Sequence, residues 1–232
     1  MQYGAAGVLA LQRLLAFQRL DRVGEGRGFR VLADDFELGL LRGDGGTLRD
    51  LIVRDLRHPL TTDATSGIGI LVSFDGGTTG LDLELTDTTV RGFQKAGVVV
   101  RGRGHVASLA RLTVDGEGLV TDAIANGIEL ATLDDSLVDS CVVTGLIHDA
   151  QPRPDRTASG LLAISCNDLT VGASQFTDCS TGVYLQGTAG LLHDLEITEP
   201  AASPLSAHGI ISVTGPIETE LGDFPAPSPT LT

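Results

Sequence analysis

One phrase recurs through the middle of the chain: a glycine followed by alternating apolar residues. It reads GIGIL from Gly67, GVVVR from Gly97, GIELA from Gly127, GLLAI from Gly160, GVYLQ from Gly182 and GIISV from Gly209, at intervals of 30, 30, 33, 22 and 27 residues. Between these anchors lies a second phrase: an aliphatic residue, a small or apolar one three later, and an apolar one two after that. It fits Leu48/Leu51/Val53, Leu85/Thr88/Val90, Leu109/Leu112/Val114, Leu137/Ser140/Val142, Val171/Ser174/Phe176 and Leu192/Leu195/Ile197. Short segments of period two thus return in a fixed order while the lengths between them vary. Internal repetition of this kind is the mark of a solenoid.

The pattern separates solenoids from one another. A helical repeat needs longer stretches of period 3.6, and none occurs between residues 67 and 214. A leucine-rich repeat keeps a tighter period and a fixed Asn or Cys ladder. A sandwich needs hairpin turns at shorter, regular spacing. Two or three short strands per turn with irregular loops fit a parallel β-helix, in which each coil completes the hydrogen bonds of the last. Aromatics are only 4% and Trp is absent, so the interior must be built from Val, Leu, Ile and Ala.

The cadence NGIEL…LDDSLVDSCVVTG resembles the repeats of right-handed parallel β-helix proteins, the pectin lyase-like superfamily, across residues 28–214. The resemblance implies an all-β, single-stranded right-handed parallel β-helix of about six to seven coils. It says little of activity, because lyases, hydrolases, epimerases and viral tailspikes share this repeat. The YGAAG…ALQRLL opening resembles the YGA…AIQ start of tailspike-type pectate lyase-like domains, but lacks the Gly-Asp-Gly and paired-Asp segment usual between the two parts.

Three regions are expected: an N-terminal cap (1–27), the β-helix (28–214) and a Pro/Ser/Thr-rich tail (215–232) that is a linker, a flexible tail or a strap. Residues 5–22 are rich in helix formers, and Val8, Leu11, Leu14 and Leu15 share a helical face. A capping helix there would protect the open end of the stack from edge pairing. The other reading is an extra coil, since Gly7, Leu15, Gln18 and Leu20 imitate the repeat anchors. The stretch HDAQPRPDRTAS (148–159) reads as an exposed loop whose prolines remove it from the ladder.

The formal charge of -14 makes nucleic acid an unfavourable partner. Fifteen of the 16 basic residues are Arg and 21 of the 30 acids are Asp. That bias fits either a salt-adapted surface or GC-rich coding. Cys141, Cys166 and Cys179 have no CxxC spacing, so buried free thiols are expected, with a Cys166–Cys179 pair as the alternative. No run reaches transmembrane length. The N-terminal apolar stretch, broken by Gln12, Arg13, Gln18 and Arg19, does not read as a signal peptide. An extracellular surface or virion location is expected.

Counting eight residues from an anchor glycine gives Asp75, His105, Asp135 and Asp168 in successive coils. In register, these would form a column about 5 Å apart per coil. Arg101 and Arg103 precede His105, while Asp134 and Asn167 flank the acids. Asp135, Asp168 and His105 are the catalytic candidates; Asp75, Arg101, Arg103 and Asp134 are the binding candidates. Such carboxylates would suit Ca²⁺ or the acid and base of a glycosidase, although no metal set or cofactor is assigned. The bland alternative is that Asp, Asn, Ser and Gly are what turns require, with His105 a solvated turn residue. RGRGH is no phosphate loop, since no helix follows it.

The resemblance also supplies contrasts. Polygalacturonase-type members carry Asn-Thr-Asp, paired Asp, Gly-His-Gly and a basic motif. Here LDDS has no Asn-Thr-Asp before it, and AHGI (207–210) has Ala in place of the first Gly. Pectate lyases combine an acidic Ca²⁺ set with an Arg base, and no motif singles out Arg101 or Arg103 for that role. The favoured expectation is a non-catalytic surface or virion component, such as a decoration, fibre or spike, that touches glycans. Its partners would be further copies of itself, trimeric by resemblance to viral members, or other structural proteins. The alternative is a lyase or glycosidase acting on acidic polysaccharide at the Asp/His column.

Overall fold

The computed structural model describes residues 28–33, 36–42, 45–54, 67–74, 80–120, 124–148, 158–198, 208–213 and 217–220. The expected capping helix, Asp75 and most of the 148–159 loop lie outside these residues.

Four strands come first: β1 (Gly28–Ala33), β2 (Phe36–Arg42), β3 (Gly45–Arg49) and β4 (Ile52–Val53). Then the described chain repeats one triplet five times. The triplets are β5 (Ile68–Phe74), β6 (Asp82–Thr86), β7 (Thr89–Arg91); β8 (Ala96–Arg101), β9 (Val106–Ala110), β10 (Thr113–Val120); and β11 (Asn126–Ala131), β12 (Leu137–Asp139), β13 (Val142–His148). They continue as β14 (Ser159–Ile164), β15 (Leu169–Gly172), β16 (Gln175–Cys179); and β17 (Thr181–Gln186), β18 (Gly190–His193), β19 (Glu196–Thr198). Strands β20 (His208–Val213) and β21 (Ile217–Glu220) follow.

Like strands stack on like. Sheet A runs β2-β1-β5-β8-β11-β14-β17-β20, sheet B runs β21-β18-β15-β12-β9-β6-β3, and sheet C runs β19-β16-β13-β10-β7-β4. The described residues are therefore all-β and form a parallel three-sheet solenoid. Two differences from expectation appear at the ends. Strands β1 and β2 form an antiparallel hairpin on the β5 edge of sheet A, so sheet A does not begin as another coil. Residues 217–220, expected in the tail, pair in parallel with β18.

The anchor glycines stack, with one correction. Ile70 pairs with Val98, which makes Gly69, not Gly67, the equivalent of Gly97, Gly127, Gly160, Gly182 and Gly209. The need for glycine is steric. A Cβ on Gly97 would lie 2.5 Å from Val114 Cγ1 and 2.7 Å from the Gly127 carbonyl; one on Gly160 would lie 2.6 Å from Phe176 and 2.7 Å from the Gly182 carbonyl. Sheet A and sheet C meet at this edge, and the closeness leaves no room for a side chain.

The second phrase is also stacked, with a one-residue correction in the third triplet. Val138 pairs with Leu109 and Val171, and Val143 pairs with Val114 and Phe176. The core set is therefore Val138/Cys141/Val143, not Leu137/Ser140/Val142. Val143 is 0% exposed and Val142 is 38% exposed. The segment SLVDSCVV offers apolar residues in both phases, so spacing alone could not choose. A slip of one residue reverses every side chain, and the neighbouring coils decide.

Inside, rows such as Ile70–Val98–Ile128–Leu161–Val183 run the length of the stack, fully buried. Each such Val, Leu or Ile contributes roughly 1.5–3 kcal/mol of transfer free energy. Cys141, Cys166 and Cys179 are buried free thiols within this core, without a disulfide.

Candidate functional site

The candidate residues fall at the corner between sheets A and B, where a repeated hydrogen bond sets the register. The Asp134 amide donates to the His105 carbonyl (2.8 Å), Asn167 to Leu133 (2.9 Å) and Ala189 to Cys166 (3.0 Å). His105, Leu133 and Cys166 are thus equivalent and point inward, and all are buried. His105 stands above Leu133, not above Asp135.

The reason lies in corner length. Gly102, Thr132 and Ser165 are equivalent, since their amides donate to Ala131, Ile164 and Gln186 respectively. One step separates Thr132 from Leu133, whereas Arg103 and Gly104 are inserted before His105. An eight-residue count from the glycine therefore lands on an inward position in one coil and an outward one in the next two. Counted from Gly69, the eighth residue is no longer Asp75, which itself lies outside the described residues.

His105 is 1% exposed, not the solvated turn residue expected. Its ring stacks on Phe74 with centroids 4.2 Å apart and planes 14° apart. Its Nδ1 accepts a hydrogen bond from the Leu81 amide (3.2 Å), which places the proton of the neutral ring on Nε2. Burial pushes its pKa below the ordinary histidine value, against a smaller opposing pull from the Asp134 charge. The imidazole plugs the interior of a widened corner.

The acids are outside. Asp134 and Asn167 form a parallel bridge, and Asn167 Nδ2 donates to Asp134 Oδ1 (2.7 Å). Asp135 and Asp168 follow as exposed equivalents in neighbouring coils. Both have left-handed backbones, with φ of 43° and 52°, a conformation that Asp adopts more readily than most residues. The Asp135 amide donates to the Asn167 carbonyl (3.0 Å). Arg101 ends β8 and its Nε donates to Ser73 Oγ (3.3 Å); Arg103 is exposed in the inserted turn. The structure therefore brings together Asp134, Asn167, Asp135 and Asp168, and separates His105 from them as a core residue.

Among the described residues, no group of three or more His, Cys, Asp or Glu side chains is arranged to hold a metal ion, and no helix is long and apolar enough to cross a membrane. The thiols are poor nucleophiles: burial pushes Cys141 up to about 11 and Cys179 up to about 12, and raises Cys166 as well.

One feature escaped sequence reading. Ile68, Leu71, Ala96 and Val99 form a second apolar cluster, separate from the main core. The outward row Leu71–Val99–Glu129–Leu162–Tyr184 crosses sheet A. Its signal was present in the unbroken apolar runs IGILV and AGVVV, which lack the polar alternation of a half-solvated strand. No protein-family model, curated protein or solved structure matches this chain significantly.

Proposed function

We propose that this chain is a right-handed β-helix of the pectin lyase-like kind, working as a rigid, non-catalytic surface or virion component whose loops contact glycans. Right-handedness follows the strong preference of parallel crossover connections. The observation that carries the non-catalytic reading is the use made of His105. The one histidine among the catalytic candidates is sealed in the interior by Phe74 and the Leu81 amide, and Asp134 is engaged by Asn167. These side chains serve the joint between coils. A symmetric oligomer, a trimer by resemblance, would cover the open ends of the stack. The experiment is a degradation screen against uronate-containing polysaccharides: no product is expected, and turnover abolished by Asp135→Asn overturns the reading.

A second reading rests on Asp135 and Asp168. As equivalents in adjacent coils their backbones are spaced about 4.8 Å along the stack, which puts the roughly 5–5.5 Å carboxylate separation of retaining glycosidases within reach of the two side chains. It predicts that Asp135→Asn and Asp168→Asn each abolish hydrolysis while leaving the fold unchanged. Two carboxylates fall short of the roughly 6–8 oxygens that Ca²⁺ takes, so no step is assigned to that ion.

A further inference from the structure

Amides at the corners of the stack are satisfied by side chains of the following coil. Ser136 Oγ accepts from the Ala107 amide (3.0 Å), Ser174 Oγ from the Cys141 amide (3.1 Å) and Thr188 Oγ1 from the Cys166 amide (3.2 Å). His105 Nδ1 does the same for the Leu81 amide (3.2 Å). Three of these four acceptors are hydroxyls, which keep an acceptor lone pair at any ordinary pH, whereas an imidazole takes a proton near neutrality. We propose that His105 is a proton-operated latch, closed when neutral, whose protonation releases the corner between β5 and β6 at Gly80 and Leu81.

The geometry makes the two states exclusive. The neutral ring already carries its proton on Nε2, so an incoming proton must take the Nδ1 lone pair, the one the Leu81 N–H occupies. Two N–H groups would then face each other in a buried site, each without its acceptor. The ring lies on Phe74, and a Cβ on Gly102 would stand 2.9 Å from its Cδ2, so an imidazolium reaches water by leaving the corner. The Gly80 amide donates to the Gly104 carbonyl (2.6 Å) and the Val106 amide to the Leu81 carbonyl (3.0 Å), so the turn that carries the ring also holds these two residues. Surrounding charge and burial set the pH of release. Asp134, on the corner between β11 and β12, favours the imidazolium, but burial outweighs it, so opening falls below the ordinary histidine value of 6.5. Strand β5 carries no charged residue. Asp82 beside Leu81, and Arg101 and Arg103 on the ring's own turn, are exposed; Asp75 lies outside the described residues. Above the ordinary value the latch is shut and its stabilisation is complete; it is lost as pH falls.

The test reads amide exchange by NMR in the full chain, expressed as protection factors so that the intrinsic pH dependence cancels. Between about pH 7.5 and about pH 5, Leu81 protection is expected to fall about tenfold, while that of Cys166, latched by Thr188, stays within about twofold. Equal falls at the two amides overturn the proposal. His105→Asn offers the Leu81 amide a carbonyl oxygen and no titrating group, so its Leu81 protection is expected to be the same at both pH values. A tenfold fall retained in that variant also overturns it. The wild-type imidazole gives a readout that needs no variant. Its ring nitrogen shifts are expected to report the Nε2–H tautomer at about pH 7.5 and to titrate below the ordinary value, with the same midpoint as Leu81 protection. A midpoint at or above about 6.5, or a ring protonated on Nδ1 at neutral pH, counts against the latch.

Discussion

The two turns described for each coil obey different rules. Between sheets B and C a single left-handed residue makes the bend: Asp50, Asp87, Arg111, Ser140, Ala173 and Asp194 occupy it, with φ from 45° to 57°. The amide donates to the next coil from Asp50 to Thr86, Asp87 to Ala110, Arg111 to Asp139 and Ser140 to Gly172. Acid, base, hydroxyl and methyl all serve, so the left-handed backbone is the constant and the side chain is free to vary. Arg111 uses that freedom to clasp Asp87 in the preceding coil at 2.6 and 2.7 Å. Between sheets A and B the length itself varies, and with it the side chain that turns inward: His105, Leu133 and Cys166 in successive coils. A turn of constant length preserves register through any sequence. A turn of variable length resets it, and residues equally spaced from a landmark cease to be equivalent.

The sharpest way to break this comparison is to place a charge on either side of the register that the B-to-C turn delivers. Val143→Asp buries a carboxylate in the core and is expected to cost about 4 kcal/mol or more; Val142→Asp, one residue earlier and outward, is expected to stay within about 0.5 kcal/mol. Urea unfolding measures both, and the reverse ranking would restore the phase in which Val142 faces inward.

A smaller effect tests the A-to-B corner. Burial lowers the His105 pKa, so the unfolded chain takes up that proton at higher pH than the folded one. The stability contribution is then complete above the ordinary histidine value of about 6.5 and falls as pH drops through and below it. His105→Gln should flatten the pH dependence below that point by at most one proton, about 1.4 kcal/mol per pH unit. An unchanged slope would mean that His105 is not the buried group described.

The smallest expected change concerns the constant corner again. Ala173 holds a left-handed backbone, φ 45°, without a polar side chain to justify it. Ala173→Gly should stabilise the protein by up to about 1 kcal/mol, the strain relieved exceeding the added chain entropy. A loss of stability in thermal unfolding would show that the methyl group has a packing role there.

The solenoid was legible in the chain because its two phrases are steric necessities. The anchor glycines exist because sheets A and C meet too closely for a Cβ, and the aliphatic triads exist because three strands per turn share one interior. Both phrases were misplaced only where the sequence is degenerate. GIGIL offers two glycines, of which Gly69 and not Gly67 is the anchor, and SLVDSCVV is apolar in both phases. The candidate site was legible in part. Asp134 and Asn167 do pair, and Asp135 and Asp168 do stack at equivalent positions of adjacent coils, because the two coils around them have corners of equal length. His105 was misjudged because Arg103 and Gly104 lengthen its corner, and no spacing rule reveals which residue of a longer turn faces in.

Composition and period by themselves determined that this chain stacks short strands into an all-β solenoid with an aliphatic interior. They did so because a two-residue alternation bounded by glycine and aspartate has few other ways to hide its apolar side. Which of two neighbouring residues enters the core, whether a histidine is solvent or filler, and that β5 and β8 are buried on both faces were decided by tertiary structure. Those outcomes depend on what the adjacent coil offers across a hydrogen-bonded ladder, and a single coil's sequence does not contain its neighbour's register.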